Sequence, residues 1–271
     1  MVPRDPDSWD DPRAAESYAE IVAGGVLYRS LAGILAELVD PRPGERFLDL
    51  AAGTGIVAER LLARAGPDVA MVLADGANAM LRVAVPRFPG GTASAVVVTP
   101  AAMPFGDASF DGAACSAALW HFVPLDRCLA EVARVLRVGG RFAWNVPAAQ
   151  LADVPDLPPA PLQVALAREG ERRFGREPAP AGPVRRRADL VALAGEAGLE
   201  LAEERFDDVP VPATELAALV RLPAFGGRLY PGVPAAEREA WVDAALARTD
   251  AAEATPVRWW SCVARRRPPG V

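Results

Sequence analysis

A chain of 271 residues, about half of them apolar, is long enough to bury a substantial core as one capped domain or as one large and one small domain. A formal charge of −6 opposes a nucleic-acid partner, since neutralising phosphates takes a concentrated basic face, and the arginine runs at 185–187 and 265–267 have no aromatics interleaved. Every one of the 29 basic residues is arginine, so a Walker phosphate loop, a Schiff-base lysine and a Ser-Lys hydrolase are all excluded.

The opening "MVPRDPDSWDD" is acidic and proline-bearing where a signal peptide is basic and then apolar, and no window reaches the roughly 18 apolar residues of a membrane span. A cytoplasmic protein without a membrane span is expected. Residues 14–39 carry Ile21, Val22, Leu27, Leu31, Ile34, Leu35 and Leu38 at helical spacing, and "PRPGE" breaks the chain before the strand "RFLDL". "GTGIVA", residues 53–58, opens a helix whose buried stripe is Ile56, Val57, Leu61 and Leu62. "VAMVLAD" is a second strand ending in Asp75, "NAMLRVAV" a second crossover helix, and "AVVV" at 95–98 a third strand of the kind buried on both faces. "SFDGAACSAAL" supplies a fourth strand, "LDRCLAEVARVL" an amphipathic helix closed by Gly139 and Gly140, and "RFAWNV" a fifth strand. The alternation implies a parallel sheet covered on both faces.

From 151 to 187 seven prolines surround one helix, "PLQVALAREGERRF", as in a lid or linker. "RADLVALAGEAG" restores a regular helix with Gly198 as its stop, before the strand "LELAEERFDD". Residues 212–250 insert two short helices around "FGGRLYPG", and "VRWWSCVARR" closes the chain as a final strand.

Chemistry concentrates where "RFLDL" meets the glycines. The segment fits the dinucleotide fingerprint G-x-G-x-x-A, with backbone N–H groups and a positive helix end at the carboxyl edge of the sheet. Asp75, at the tip of the next strand, can accept hydrogen bonds from both hydroxyls of a ribose. These features fit a nicotinamide enzyme and a nucleoside-sulfonium enzyme equally. Asp49 separates them, because a carboxylate at the start of the loop repels a pyrophosphate but suits a cationic amino acid moiety. The long helical segment before the first strand and the proline-phenylalanine turn in "MPFGDASFD", 103–111, point the same way. Cys115, Cys128 and Cys262 are odd in number and widely spaced, and His121 is the sole histidine, so no metal site is expected.

Together "FLDLAAGTG", "VAMVLADGANAML", "MPFGDASFDGAACSAALWHF" and "EVARVLRVGGRFAWNVP" resemble the class I S-adenosylmethionine-dependent methyltransferases, in the small-molecule branch related to the ubiquinone/menaquinone C-methyltransferases. The resemblance is continuous from about 40 to 147. It implies a Rossmann-like, doubly wound α/β fold with a seven-stranded, mostly parallel sheet whose last strand is antiparallel. It further implies a helical cover over 1–40, a cofactor-binding core at 41–150, a lid insertion at 151–187, and completion of the sheet at 188–271 around a helical cap. The cofactor implied is S-adenosyl-L-methionine, and the partner a small-molecule methyl acceptor.

Position by position, the resemblance sets Asp49, Ala51, Gly53 and Gly55 around the methionyl part, Asp75 on the ribose, Gly76 and Met80 beside the adenine, and Ser116 to Leu119 under the sulfonium. Tyr18 matches a tyrosine of the N-terminal helix that covers the cofactor. The family's D-A-x-x-L-P-F reads Thr99-Pro100-Ala101-Ala102-Met103-Pro104-Phe105 here, so threonine stands where an aspartate takes the adenine amine and proline where an N–H meets the ring. Ala101, Ala102 and Met103 remain candidates for that edge, Ala101 as substitute donor. His121, in "ALWHF", is the candidate general base, with a pKa near 6.5 unless burial or a carboxylate moves it. Tyr28, Trp120, Phe122, Phe225, Tyr230 and Trp259 are candidates for an apolar acceptor pocket. "NVP" at 145–147 follows the fifth strand and is read as a strand end. Two other functions stay open: a protein that binds S-adenosylmethionine as a scaffold or for a non-methylating rearrangement, and, more distantly, a nicotinamide oxidoreductase.

Overall fold

In a computed structural model, residues 9–155, 157–179 and 182–268 are described. The first helix, α1 (Pro12–Gly24), begins where Asp11 accepts the Ala14 N–H at 3.0 Å, with proline in its first turn. The helical segment expected as one piece is two, because α2 (Leu27–Val39) departs from α1 at 73°. Gly25 closes α1 by donating to the Ile21 carbonyl at 2.8 Å. The carboxylate of Glu215, far along the chain, then accepts the Val26 and Leu27 N–H groups at 2.8 and 2.9 Å. Two donors that a helix start leaves orphaned are thereby satisfied by a negative charge at the positive end of α2. A Cβ on Gly25 would stand 2.5 Å from that carboxylate, which is why glycine occupies the corner.

Strands and helices then alternate: β1 (Arg46–Leu50), α3 (Ile56–Ala65), β2 (Ala70–Asp75), α4 (Asn78–Ala84), β3 (Ala93–Val97), β4 (Phe110–Cys115), α5 (Leu125–Val135) and β5 (Leu136–Pro147). After α6 (Pro161–Phe174) and α7 (Arg187–Glu196) come β6 (Leu199–Pro212), α8 (Ala213–Arg221), α9 (Pro223–Leu229), α10 (Ala235–Leu246) and β7 (Ala254–Arg266). The seven strands lie in the order β3-β2-β1-β4-β5-β7-β6, and only β7 runs antiparallel to its neighbours. This is the Rossmann-like sheet with an antiparallel last strand.

Alternation along each strand sorts side chains onto two cores. Phe47, Leu73 and Trp259 face α2 and α3 with Leu31, Leu35 and Leu61. Leu48, Leu50, Val72 and Trp260 face the opposite layer with Leu129, Val132 and Leu190. The strand at 93–97 departs from expectation: it is an edge strand bonded to β2 alone, and it leaves Val97 52% exposed. Gly139 and Gly140 do not stop α5, which ends at Val135 with the chain passing straight into β5. Gly139, at φ +78°, lies where β5 takes three more residues than β4 between the Phe110–Leu136 and Gly112–Arg141 pairs. The glycines serve a bulge.

The second insertion holds three helices, not two, and "FGGRL" is the body of α9. Leu162 and Leu166 of α6, Ala217 of α8, Tyr230, and Trp241 and Val242 of α10 share one apolar cluster. Two insertions distant in sequence therefore build a single helical layer. Among the described residues no single helix is long and apolar enough to cross a membrane.

Candidate active site

A cavity of about 570 Å³ opens at the carboxyl edge of β1, β2 and β4. Its floor is the loop after β1, where Ala51, Gly53 and Gly55 all take positive φ, at 57°, 53° and 84°. Ala51 and Gly53 line the cavity. Gly55 does not: it caps α3, and a Cβ there would stand 2.7 Å from the Phe88 ring. Its role is to let the helix start close against Phe88.

Two carboxylates flank the loop. Asp75 lines the cavity and accepts the Gly53 N–H at 2.7 Å and the Ala77 N–H at 2.8 Å, one on each oxygen. An ionised carboxylate has about four lone-pair sites, so roughly two remain for a ligand. Burial raises its pKa against the pull of these N–H groups. Asp49 lies deeper, almost wholly buried, with one oxygen accepting the Ala58 N–H at 3.0 Å and the other without a partner among the described residues. Burial lifts its carboxyl to about 7, the Ala58 N–H opposing and the Asp75 charge adding to the shift. Asp10, a third carboxylate on the wall, accepts the Ala79 N–H at 2.8 Å.

Aromatic rings cover this floor. Trp9 meets Tyr18 edge-on at 5.5 Å and Phe225 at 5.8 Å, and Tyr18 leans on Tyr28 at 5.7 Å. Tyr18 stands over the glycine loop, 3.7 Å from where a Gly53 Cβ would be. Its phenol is raised well above the ordinary range, by burial first, then by Tyr28, Asp75 and Asp49. Gly76 and Met80 line the adjoining wall.

Across the cavity, the segment after β4 turns through Ala117 at φ +52°. Asn145, fully buried on β5, holds this turn by accepting the Ala117 N–H at 2.7 Å and donating to the Ser116 hydroxyl at 3.3 Å. Ser116, Ala117 and Ala118 all reach the cavity. Asn145 is thus more than a strand end; the signal was an amide standing in the apolar run "FAWNV" one turn from the sheet edge. Trp120 and His121, on a 3-10 turn, and Phe122, which caps it, follow as wall residues. Opposite them Arg228 of α9 brings one guanidinium nitrogen to 3.0 and 3.3 Å of the two ring nitrogens of His121. Burial and then this charge lower the imidazole from its ordinary 6.5 to about 4.

Several candidates stand elsewhere. Tyr230 is fully buried in the helical layer, 4.7 Å from both Phe174 and Trp241, and does not reach the cavity. Trp259 backs the wall from behind, 6.2 Å from Trp120. Ala101, Ala102 and Met103 do not line the cavity, because the Ala102 N–H returns to the Thr99 carbonyl at 2.9 Å and the turn carries Met103 into the core, where Glu131 takes its N–H at 2.8 Å. Pro100 is the residue of that segment on the cavity wall. Trp9, Asp10, Ala77 and Arg228 are wall residues that sequence reasoning did not single out. Ala77 stands within "VAMVLADGANAML" beside Gly76, whereas Trp9, Asp10 and Arg228 belong to no motif and arrive by tertiary packing.

The profile of the methyltransferase domain family matches residues 48–144. A ubiquinone/menaquinone biosynthesis C-methyltransferase of Bordetella avium is 40% identical over 102 residues, covering 37% of this chain and 40% of that protein. The chain spans about two fifths to half the length of the curated relatives it matches. Among solved structures, the YcgJ protein of Bacillus subtilis superposes with a TM-score of 0.60 at 20% identity, covering 88% of this chain and 99% of that one. The Haemonchus contortus phosphoethanolamine N-methyltransferase 2, solved with phosphomonomethylethanolamine and S-adenosylhomocysteine, gives a TM-score of 0.59 at 14% identity, over 96% of this chain and 60% of that one. Residues 48–144 thus match the methyltransferase domain family that the ordered motifs resemble, on a sheet of class I order, with ubiquinone/menaquinone C-methyltransferases among their relatives.

Proposed function

We propose that this chain is an S-adenosylmethionine-dependent methyltransferase acting on a small, largely apolar or aromatic metabolite in the cytoplasm. The observation that carries the reading is the floor of the cavity: the glycine loop with Asp75, whose acceptor capacity faces inward, and behind the loop the buried Asp49, one oxygen of which has no partner among the described residues. Two carboxylates and no lysine oppose a pyrophosphate and suit a ribose diol beside a cationic amino acid. The residues present therefore fit S-adenosylmethionine. When bound, that cofactor supplies a methyl group activated by its sulfonium.

The chain's own residues would then position more than react. Asp75 takes the ribose hydroxyls, Gly53 and Ala51 admit the methionyl part, and Tyr18 with Trp9 shuts out water from above. Asn145 fixes Ser116 and Ala117 below the reacting line. His121, neutral at physiological pH, is the group able to take a proton from an acceptor that must lose one. Trp120, Phe122, Phe225 and Tyr28 supply the apolar wall for the acceptor's carbon frame. Residues of the N-terminal cover, the core and the cap insertion line this one cavity, whereas no described residue of 151–187 does. All three cysteines are buried and unpaired, which accords with a reducing compartment.

Isothermal titration with S-adenosylhomocysteine and with NAD tests the reading. S-adenosylhomocysteine is expected to bind and NAD not, and Asp75→Ala to weaken the former by about 1–3 kcal/mol, the cost of stripping one side of a buried hydrogen-bonded pair. Tighter binding of NAD would overturn the proposal.

A further inference from the structure

We infer that the methyl acceptor is an organic acid, gripped through its anionic oxygens by Arg228 on the cavity wall. The inference rests on the methyltransferase reading of the same cavity. Arg228 projects from α9 onto the cavity surface. Its contacts are with the His121 ring, and among the described residues no carboxylate lies within ion-pair distance of it. Other arginines of the chain also lack an ion pair, but Arg228 is the one arginine that lines the cavity among the described residues. Arg221, seven residues earlier, pairs with Asp243, Arg258 with Asp208, Arg187 with Glu204, and Arg134 with both Asp107 and Glu131. With 35 acidic residues against 29 arginines, the chain has carboxylates enough for every guanidinium.

Arg228 stays exposed, but its guanidinium sits on the cavity wall against a neutral imidazole and carries a positive charge that no carboxylate beside it offsets among the described residues. Partial desolvation lowers its hold on its proton. An anion that enters the cavity meets that charge directly. A planar fork of N–H donors matches a carboxylate or a phosphate with two parallel hydrogen bonds. Trp120, Phe122 and Phe225 beside it take an apolar frame, so the ligand class is an acid on an aromatic or alicyclic body. The cavity lining carries charge of both signs, the carboxylates of Asp75 and Asp10 and the guanidinium of Arg228. An acid therefore enters in one orientation, anion toward α9 and carbon frame toward the segment Ser116–Ala118.

The test uses the full chain saturated with S-adenosylhomocysteine and titrates benzoate, phenyl phosphate and neutral benzamide. At least one anion is expected to bind about tenfold or more tightly than benzamide, the scale of a charge-assisted fork. Which anion wins tells a carboxylate acceptor from a phosphate ester. Arg228→Met should erase the preference, Arg228→Lys should keep part of it, and both should bind S-adenosylhomocysteine as the wild type does. The inference is overturned if neither anion binds better than benzamide, or if the preference survives in Arg228→Met. It is equally overturned if Arg228→Met loses S-adenosylhomocysteine, which would assign the guanidinium to the cofactor's own carboxylate. A wild-type chain that fails to bind S-adenosylhomocysteine would strike the methyltransferase reading instead, and the three probes titrated without it would still report on Arg228.

Discussion

Arg228 cannot give up its proton, so the ring it faces has to accept one, and a ring that accepts must be neutral. Burial together with that neighbour takes His121 from 6.5 down to about 4. The unfolded chain binds a proton near 6.5 and the folded one only near 4, so the unfolded state holds more protons between these values. Stability contributed by the neutral ring is present above about 6.5 and declines as pH falls toward 4. Because His121 is the sole histidine, its imidazole resonances in a carbon-proton NMR titration need no assignment. A midpoint near 4 is expected, moving up toward 6.5 in Arg228→Met; a wild-type midpoint of 6 or above would show that neither burial nor the guanidinium governs the ring. If His121 is the base, single-turnover methyl transfer should be flat across pH 6–8 and fall only on approach to 4. The residue 107 positions downstream that sets this behaviour was not readable from sequence, since "FGGRLYPG" carries no motif that pairs it with "ALWHF". Gly53 and Asp75 were readable because strand, turn and strand end bring them together within one local unit.

Tyr230 shows how an element can be read correctly while its face is not. The limits of α6 match "PLQVALAREGERRF", with proline in its first turn and Gly175 at φ +66° ending it. Yet an aromatic in a cap reads the same whether it faces a cavity or a neighbouring helix, and this one faces helices. Its ring packs on Phe174 and Trp241, while the Trp241 N–H donates to the Leu166 carbonyl at 2.8 Å. Gly170 makes the approach feasible: a Cβ there would fall 1.6 Å from the Tyr230 hydroxyl. Tyr230→Ala should therefore cost about 3–5 kcal/mol, the range for emptying a large aromatic site in a core. Tyr230→Phe should cost far less, because the hydroxyl's bond to the Arg176 carbonyl is long at 3.4 Å. Urea denaturation measures both, and equal losses for the two variants would mean that the hydroxyl, not the ring, holds the layer. The three helices of the second insertion were undercounted for a related reason: Gly226 and Gly227 read as a loop, whereas in α9 Gly226 lets the helix pass close to the Val220 carbonyl.

At the scale of the molecule, the alternation of apolar runs and amphipathic helices was enough to read a parallel sheet covered on both faces, while its seven strands and antiparallel last strand came from the family resemblance. The joints between distant segments were not legible, and the largest of these is the grip of Glu215 on the start of α2. It links the N-terminal helices, whose Tyr18 and Tyr28 roof the cavity, to α8 of the helical layer, whose next helix carries Phe225 and Arg228. Neither roof can swing away without breaking that grip or dragging the other. If the chain turns over as a methyltransferase, Glu215 would act as a latch and its release, rather than the transfer of the methyl group, would be the slow event. Glu215→Ala should speed departure of S-adenosylhomocysteine about tenfold, equivalent to about 1.4 kcal/mol, in stopped-flow displacement. An unchanged off-rate would place the gate elsewhere. With the latch cut, multiple-turnover rate would climb toward the single-turnover rate, and the enzyme would exchange a long hold on its product for a leakier site.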